Sequence, residues 1–553
     1  MSRTAAPWAA AILAAGLLEL PFPLAGPLPP WRSIFAWFGL VPLLWAILSP
    51  AAVAARHPLR RAFLLAYLCG VLWYIGNCYW IYNTMLMYGD LPRWVAALLL
   101  LGFSMVLGLY FAIFGWAVML VRRKTGSARL ALAAAPFFWV AVELAGARIT
   151  SVPWDQLGYS QVDNAILTHL APWTGVYGIS FVLVAVNALI AGGYVLDRCR
   201  AKRAWGIAGV ALALCGTAGI FLHPPKPAPT ATAVLIQPNL NVGEDYNWNG
   251  PDWARHMAQF ARQAGEDCGS YIAGVPQTGA PHGAIPCPQQ PTHPDLVAWP
   301  ESPAPFEQAD PRLLPALGTI ARSVQAPLVV GAIGMDFSTS DQSWHEYNSA
   351  LIVGADGQLV GRYDKIHLVP FGEYVPFAKL LVFARKLTGR VSKFDRGTMR
   401  STFLLNSPGE GGHRYGVFIC YEDAFADEVR QFSRHGAQVL VNISDDGWYG
   451  DTSAPWQHLN IARMRAIEND RWLLRDTNNG ITAAIDPYGR VTQSIPRHQV
   501  GALAAGFGFR DNFTFYTAHG DVFAWLCTII ALVSVGFALG RPIAVAAADD
   551  RLQ

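Results

Sequence analysis

The sequence predicts a helical membrane protein that carries one large water-soluble α/β domain, and three observations predict this fold class. Of the 553 residues, 53% are hydrophobic and only 14% are charged, whereas soluble domains usually carry about 25% charged residues. Residues 223–511 contain 24 Lys+Arg and 29 Asp+Glu, but the remainder contains only 17 and 9. That remainder divides into apolar runs close to the length of a bilayer-spanning helix. A single soluble globule and a disordered chain are therefore excluded.

Eight apolar runs are predicted to be membrane helices, seven before the polar domain and one after it. They cover residues 8–24, 33–49, 62–84, 94–121, 130–147, 165–196, 204–222 and 521–540. The first two runs are short and flank a proline-rich turn, so we expect a helical hairpin, with or without a full crossing. Glu143 and Arg148 end the fifth run, and we expect them to pair near the membrane interface.

The basic residues between the apolar runs predict the orientation of the chain. Fourteen of the 17 Lys and Arg residues outside the polar domain lie in alternate connections or at the termini. This side is expected to be cytoplasmic, and seven crossings then place the polar domain on the opposite side. Since the basic residues fall in short segments between apolar runs, they do not indicate a nucleic-acid partner. The predicted domains are a helical bundle (1–222), a polar domain (223–515) and a last helix with a short tail (516–553).

Short β-like runs alternate with helical segments in the polar domain, which predicts a layered α/β structure. We expect strands at Ala233–Gln237, Leu296–Trp299, Leu328–Ala332, Ser349–Val353, Gln358–Tyr363, Gly416–Cys420, Val439–Ile443, Leu473–Asp476 and Thr482–Ile485. We expect helices at 252–266, 311–324, 424–435 and 454–469. Residues 354–357 and 487–489 have the composition of hairpin turns. Residues 267–294 are rich in Gly and Pro without any period, which predicts a surface insertion.

Of the eight cysteines, one stands at a chemically suggestive position. Cys268 and Cys287 bracket the insertion, and we predict a disulfide between them because an exported domain favours pairing. This leaves Cys420 unpaired in the outer domain, where the apolar run GVFIC gives way to the polar segment YED. A helix N-terminus at that point would lower the pKa of the thiol. Cys420 is either such an activated nucleophile or a buried structural cysteine. The sequence contains no cluster of Cys and His residues that would indicate a metal site.

Two further motifs favour the nucleophile. The run LVAWPES brings Glu301 to the end of a predicted strand, and GRYDKIHLVPFGEYVP contains Lys365 with Glu373 eight residues later. A single charged residue is more often solvated than functional. The order Glu, Lys, Cys, each beside a strand end, indicates one shared site.

This order resembles the nitrilase superfamily, whose members carry a Glu–Lys–Cys triad on an α-β-β-α sandwich. Within that superfamily, several motifs resemble the apolipoprotein N-acyltransferase family, as does the arrangement of seven spans, domain and eighth span. These motifs are WPES, YDKIHLVPFGEYVPF, GVFICYEDAF, NISDDGWYG, RAIENDRWLLRDTNNG and, at 153–161, PWDQLGYSQ. The chain departs from the family in its insertion and in Asp445, where the family more often has Asn.

The resemblance implies an activity and a site. The activity is transfer of an acyl chain from a phospholipid, phosphatidylethanolamine, through a cysteine thioester to the α-amino group of the N-terminal diacylglyceryl-cysteine of an apolipoprotein. The implied catalytic residues are Glu301 as the proton carrier, Lys365 as the oxyanion partner and Cys420 as the nucleophile. Glu373 corresponds to a second active-site glutamate. The implied location is the bacterial inner membrane, with the domain on the periplasmic side, and no cofactor is implied.

Other residues near the motifs are given supporting roles. Tyr421 and Glu422 flank the nucleophile and are expected to shape the site. Five aromatic residues are candidates to cover the acyl chain, namely Trp248, Trp344, Tyr347, Trp448 and Tyr449. The segments 344–348 and 377–396 are candidate lids.

Two alternatives stay open. A membrane-tethered nitrilase-like amidase that hydrolyses a small amide or nitrile would use the same triad without needing a lipid groove. A transporter or receptor with an outer binding domain would instead place ionisable residues or broken helices at the membrane midplane. The predicted spans contain few such features.

Overall fold

The computed structural model describes residues 5–89, 91–222, 224–242, 251–265, 293–301, 306–340, 342–370, 372–374, 394–405 and 412–542. Several sequence predictions lie outside these ranges. They are Trp248, the insertion up to residue 292 with its proposed Cys268–Cys287 disulfide, and residues 377–393 of the second candidate lid.

Six helical segments within the described ranges are long and apolar enough to cross a membrane. They are Pro30–Leu48, Pro58–Asn77, Arg93–Thr125, Ala128–Ile149, Val176–Val195 and Val522–Leu539. The first predicted run forms only the 14-residue helix Ala6–Glu19. The seventh forms three consecutive helical segments, Arg198–Ala211, Leu212–Thr217 and Ala218–Phe221. A polytopic helical bundle is therefore confirmed, and the count of eight crossings stays a prediction.

Short helices complete this part of the chain. They are Pro50–Val53, Trp80–Met87, Leu157–Gln161, Leu167–Leu170, Ala171–Thr174 and Phe515–His519, and Pro30–Leu48 itself consists of Pro30–Trp37 and Val41–Leu48. The longest helix, Arg93–Thr125, ends at Gly126 with a φ of 69°. Glycine adopts this left-handed conformation without strain, so it is a usual helix terminator.

The expected pair of Glu143 and Arg148 is wrong. Glu143 Oε1 accepts hydrogen bonds from Trp139 Nε1 and from the Leu157 backbone N–H, both at 2.8 Å. Arg148 instead contacts Asp427 at 3.0 Å and Asp521 at 2.5 Å. The physical reason is helical geometry, because residues three and four apart are neighbours on a helix and residues five apart are not.

The polar domain contains two six-stranded sheets. Its strands are β1 (Ala231–Gln237), β2 (Leu296–Ala298), β3 (Leu328–Ser338), β4 (Ser343–Val353), β5 (Leu359–Asp364), β6 (Thr402–Leu405), β7 (His413–Ile419), β8 (Val439–Ser444), β9 (Trp472–Thr477), β10 (Thr482–Ile485), β11 (Val491–Ile495) and β12 (Gly501–Phe507). The first sheet has the order β12-β1-β2-β3-β4-β5 and the second β11-β10-β9-β8-β7-β6. Each of the nine predicted strands overlaps one of these, whereas β6, β11 and β12 were not predicted.

Helices cover the outer face of each sheet, so the layers follow the order α-β-β-α. Pro251–Gly265 and Leu313–Val324 pack on the first sheet, and Ala426–Arg434 and Ala454–Asn469 on the second. One hydrophobic core runs from the membrane bundle through the second sheet to the inner face of the first. The outer face of the first sheet forms a separate core with its own helices.

Helix Ala454–Asn469 joins the second sheet to the membrane bundle through buried polar contacts. Gln457 Oε1 accepts a hydrogen bond from Trp154 Nε1 at 2.8 Å. Further along the helix, Arg465 Nη2 donates to the Tyr159 hydroxyl at 3.2 Å. Trp154 and Tyr159 belong to the PWDQLGYSQ motif. Because buried polar groups must be paired, these contacts fix the bundle against the second sheet.

Candidate active site

Three strand ends bring the candidate catalytic residues to one place between the sheets. Glu301 follows β2, Lys365 follows β5 in the same sheet, and Cys420 follows β7 in the second sheet. Their exposed fractions are only 7%, 1% and 5%. The site is therefore largely shielded from water, and each of its charges needs a partner.

Lys365 binds both candidate glutamates. Its Nζ donates to Glu301 Oε1 at 2.9 Å and to Glu373 Oε1 at 3.0 Å. The side-chain amide of Asn348 donates to the same two oxygens at 2.7 and 2.6 Å. Burial alone would lower the pKa of Lys365, but the two carboxylates raise it well above its ordinary value. The ammonium thus stays charged, as an oxyanion partner must.

Cys420 occupies an unusual backbone conformation and holds a neutral thiol. Its φ is 50°, in the left-handed region that few non-glycine residues adopt. Burial raises the pKa of the thiol well above its ordinary value, Glu301 raises it further, and Lys365 opposes both. The expectation that a helix dipole lowers this pKa is wrong. Cys420–Ala424 is a single 3₁₀ turn, and its field is too small to offset the loss of water.

Glu422 connects the loop that contains Lys365 to the loop that contains Cys420. Its carboxylate accepts hydrogen bonds from the Tyr363 hydroxyl at 2.9 Å and from the backbone N–H groups of Ile366 and Ile419 at 2.7 Å. Burial raises the pKa of Glu422, and these backbone donors oppose the shift. Tyr421 donates to the Ser151 carbonyl at 2.9 Å. Both residues therefore link chain segments around the nucleophile.

The candidate aromatic residues occupy different surroundings. Tyr449 is 7% exposed, lies within electrostatic range of Cys420 and packs edge-on against Trp80 with ring centroids 5.2 Å apart. Trp448 is 46% exposed and packs against Tyr88 at 5.1 Å. Both lie where the bundle meets the catalytic domain.

The other two described candidates lie on β4, in the first sheet. Trp344 is 60% exposed, and the Arg362 guanidinium stands 5.3 Å from the Tyr347 ring. Residues 344–348 pair residue by residue with β3, from Trp344 opposite Phe337 to Asn348 opposite Ile333. This segment is therefore part of a continuous antiparallel ladder, and its function as a lid stays a prediction.

Sequence reasoning missed three contributors to the site. Asn348 bridges the two glutamates, the Asp445 backbone N–H donates to Glu301 Oε2 at 3.0 Å, and the ring of Trp154 stacks on Tyr421 with centroids 5.9 Å apart. A single asparagine within a strand carries no distinctive signal, and a backbone donor carries none at all. Trp154 belongs to the motif PWDQLGYSQ, but the sequence does not indicate that its ring contacts Tyr421. Among the residues that the structure describes, no group of three or more His, Cys, Asp or Glu side chains is arranged to hold a metal ion.

Comparison with known proteins extends across both parts of the chain. Residues 14–189 match the apolipoprotein N-acyltransferase N-terminal domain, and residues 232–505 match the carbon-nitrogen hydrolase family. The apolipoprotein N-acyltransferase of Geobacter metallireducens is 33% identical over 539 residues, 96% of this chain and 95% of the relative. That of Allorhizobium ampelinum is 29% identical over 544 residues, 95% of each chain. An amidase of the nitrilase superfamily from Nesterenkonia AN1 is 15% identical, covers 53% of this chain and 95% of its own, and has a TM-score of 0.34.

Two matched regions, a helical membrane part and a carbon-nitrogen hydrolase domain, define a membrane-bound nitrilase-type protein. With 33% identity over nearly the full length of a relative, the chain belongs to the apolipoprotein N-acyltransferase family. The small-substrate amidase alternative is not favoured, because it does not explain why residues 14–189 match the apolipoprotein N-acyltransferase N-terminal domain.

Proposed function

We propose that this protein transfers an acyl chain from a phospholipid to the α-amino group of the N-terminal diacylglyceryl-cysteine of apolipoproteins. One observation carries the proposal. A buried lysine joins two glutamates at 2.9 and 3.0 Å, next to an unpaired buried cysteine, in a chain whose relatives bear this name. The roles of Glu301, Lys365 and Cys420 are part of the proposal.

In the first step, Cys420 attacks the sn-1 ester carbonyl of the phospholipid. Glu301 takes the thiol proton as the S–C bond forms, and Lys365 stabilises the oxyanion of the tetrahedral intermediate. When the C–O bond breaks, Glu301 returns the proton to the departing lysophospholipid oxygen. Because the resting thiol is neutral, proton transfer has to accompany the attack. The product is an acyl thioester on Cys420.

In the second step, the apolipoprotein amine attacks the thioester. Glu301 accepts a proton from the amine nitrogen, the C–S bond breaks, and the proton passes to the cysteine sulfur. Glu373 holds Lys365 through their shared ion pair and orients the incoming amine. Water must be kept from the thioester between the two steps, and the burial of the site serves that purpose.

The membrane part restricts both substrates to the surface where the site lies. We propose that the protein is located in the bacterial inner membrane, with 223–515 as its periplasmic catalytic domain between the bundle (1–222) and the last helix (516–553). The distribution of basic residues supports this orientation. Anchored substrates and an anchored enzyme meet at a high local concentration. Phosphatidylethanolamine is the proposed donor, and Tyr449 and Trp448 are proposed to contact its acyl chain.

Intact-mass and peptide mass spectrometry after incubation with acyl-labelled phosphatidylethanolamine test this function. We expect a hydroxylamine-sensitive acyl adduct on Cys420, and its transfer to a diacylglyceryl-cysteine peptide. Lys365→Ala should slow adduct formation by about 10²–10³. The exposed Cys199 provides a control, since Cys199→Ala should leave the adduct unchanged. A protein that never carries a lipid acyl group on Cys420, or that hydrolyses small amides instead, would contradict the proposal. A parallel incubation with phosphatidylglycerol tests whether the protein prefers the phosphatidylethanolamine headgroup in its acyl donor.

A further inference from the structure

Four charged side chains next to the nucleophile are completely shielded from solvent. They are Asp423, Asp446, His458 and Arg475, each with an exposed fraction of 0%. Arg475 Nη2 donates to both Asp446 oxygens at 3.0 Å, and its Nη1 lies 3.3 Å from Asp423 Oδ2. Because water cannot compensate any of these charges, they must balance one another.

His458 decides whether this cluster is neutral. Its Nδ1 lies 2.8 Å from Asp446 Oδ1 and its Nε2 lies 2.9 Å from Asp423 Oδ1. An imidazolium carries a proton on both nitrogens and can face both carboxylates, whereas a neutral imidazole protonated at Nε2 would accept at Nδ1 from Arg475. Arg475 Nη2 lies equally close to Nδ1, at 2.8 Å. With a charged His458 the four residues sum to zero, whereas a neutral His458 leaves one net negative charge.

Aromatic rings close the space around His458. The rings of Trp154 and Tyr449 lie with centroids 5.3 and 5.9 Å from the imidazole. The Trp154 ring is inclined at 32° to the imidazole and the Tyr449 ring at 82°. Burial and the Arg475 charge lower the pKa of His458, but the two carboxylates outweigh them and raise it above its ordinary value.

The cluster reaches the nucleophile by two routes. Arg475 Nη1 donates to Asn442 Oδ1 at 2.5 Å, which turns the Asn442 amide nitrogen toward the Cys420 carbonyl at 3.5 Å. Ser444 Oγ donates to Asp446 Oδ1 at 3.3 Å, and the same hydroxyl lies close enough to Cys420 to lower the pKa of its thiol. The first route holds the left-handed backbone of the nucleophile, and the second connects the cluster to its sulfur.

We propose that His458 is a positioning residue whose imidazolium charge neutralises this cluster and thereby keeps the Cys420 sulfur ready to lose its proton. This inference rests on the proposed role of Cys420 as the nucleophile. The charged groups within electrostatic range of the sulfur include Glu301, Lys365, Asp446 and Arg475. Without the imidazolium charge, the cluster would add negative charge beside the sulfur and oppose thiolate formation. His458 itself contacts no substrate in this proposal.

The alkylation rate of Cys420 by iodoacetamide tests the proposal without any lipid. The purified full chain is alkylated at pH 8, and the Cys420 peptide is followed by mass spectrometry. We expect His458→Gln to slow alkylation about tenfold. This corresponds to a rise of about one unit in the pKa of the Cys420 thiol. The double variant Asp423→Asn/His458→Gln removes one charge of each sign and should recover most of the rate. His435→Gln, which changes an exposed histidine outside the cluster, should leave the rate unchanged.

Asp423→Asn alone tests the same charge balance without altering His458. It leaves the cluster with one net positive charge, so alkylation should be about tenfold faster than in the unmodified protein. Equal rates in His458→Gln and the unmodified protein would overturn the proposal. So would a double variant that unfolds at the normal temperature yet stays as slow as His458→Gln, because packing and not charge would then be the cause. Since alkylation requires no acyl donor, these outcomes are separate from failure of the proposed acyl transfer.

Discussion

The two sheets of the catalytic domain have different supports. The second sheet, which carries Cys420, shares one continuous hydrophobic core with the membrane bundle and is fixed to it by helix Ala454–Asn469. The first sheet, which carries Glu301 and Lys365, is covered on its outer face by two helices that form a core of their own. Cys420 is thus positioned relative to the membrane bundle, and Glu301 and Lys365 are positioned relative to Cys420.

This difference indicates which changes should damage chemistry and which should damage assembly. Substitutions of the first-sheet residues that line the site should change its charges and hydrogen bonds, and therefore the reaction rate. Substitutions along helix Ala454–Asn469 should act on the contact between domain and bundle. The predictions that follow test this division, beginning with the largest expected effect.

Loss of the nucleophile should be more severe than loss of the base. We expect Cys420→Ala to lower acyl transfer by about 10⁴-fold or more and Glu301→Gln by about 10²–10⁴-fold, measured with labelled phospholipid and a lipopeptide acceptor. Cys420→Ala should unfold at a temperature close to that of the unmodified protein, since it removes neither a charge nor a contact to the bundle. An acyl adduct elsewhere on the Cys420→Ala chain would contradict the division of roles between the sheets.

Breaking the buried contact at the junction should destabilise the protein. Arg465→Met leaves Glu468, whose Oε1 lies 2.9 Å from Arg465 Nη2, without its charged partner. Removal of one member of a buried pair costs about 3–5 kcal/mol, so thermal unfolding in detergent should shift down by several degrees. The control is Arg322→Met, because Arg322 is exposed on the outer helix of the first sheet and should change stability by less than about 0.5 kcal/mol. Equal shifts in both variants would show that the junction is no stronger than the surface.

Removal of the bridging amide should affect chemistry more than stability. Asn348→Leu deprives Glu301 and Glu373 of one donor each while Lys365 remains. A hydrogen bond to a charged group contributes about 1.5–3 kcal/mol, so thioester formation should slow by about 10–100-fold in a single-turnover measurement. Thr319→Ala, on the outer helix of the same sheet, should leave the rate unaltered. A normal rate in Asn348→Leu would mean that Lys365 alone holds the two carboxylates.

Asp445 predicts a dependence of stability on pH. Burial raises the pKa of Asp445 from 3.8 to about 8, while the Gly447 backbone N–H opposes the shift. Between these values the unfolded chain releases this proton and the folded chain keeps it, so stability falls as pH rises through this range. Asp445→Asn does not titrate, and its advantage in unfolding temperature should grow from pH 5 to pH 8 and level off above. A constant difference between the two proteins would show that Asp445 ionises freely in the folded state.

Strands with a buried, apolar pattern were predictable, whereas three of the four edge strands (β6, β11 and β12) were not. β8 and β9 are buried along their whole length and read directly as apolar runs. β11 begins with exposed residues, and β12, rich in Ala and Gly, has a mixed pattern. Both strands lie at sheet edges, where one side has no neighbour and the sequence signal is weak. The hairpin turns were predictable because Gly357 and Gly489 adopt positive φ angles of 82° and 75°.

The site was predictable where it depends on side chains next to strand ends. Glu301, Lys365 and Glu373 lie together because β2 and β5, although separated by β3 and β4, run in the same direction and end at the same end of the first sheet. The surroundings were not predictable, since the Asn348 amide reaches the two glutamates only because β4 lies between β2 and β5, and Asp445 acts through its backbone N–H. The neutral state of Cys420 follows from complete burial, which local sequence does not encode.

The raised pKa of the Cys420 thiol also affects how easily the thiol is oxidised while no substrate is bound. Thiolates, not thiols, react with peroxides and disulfides. A sulfur whose pKa is raised by burial is ionised only to a small extent in the resting protein and so reacts slowly with oxidants while the protein waits for lipid. The same burial that makes the nucleophile slow on its own therefore protects it from oxidative inactivation.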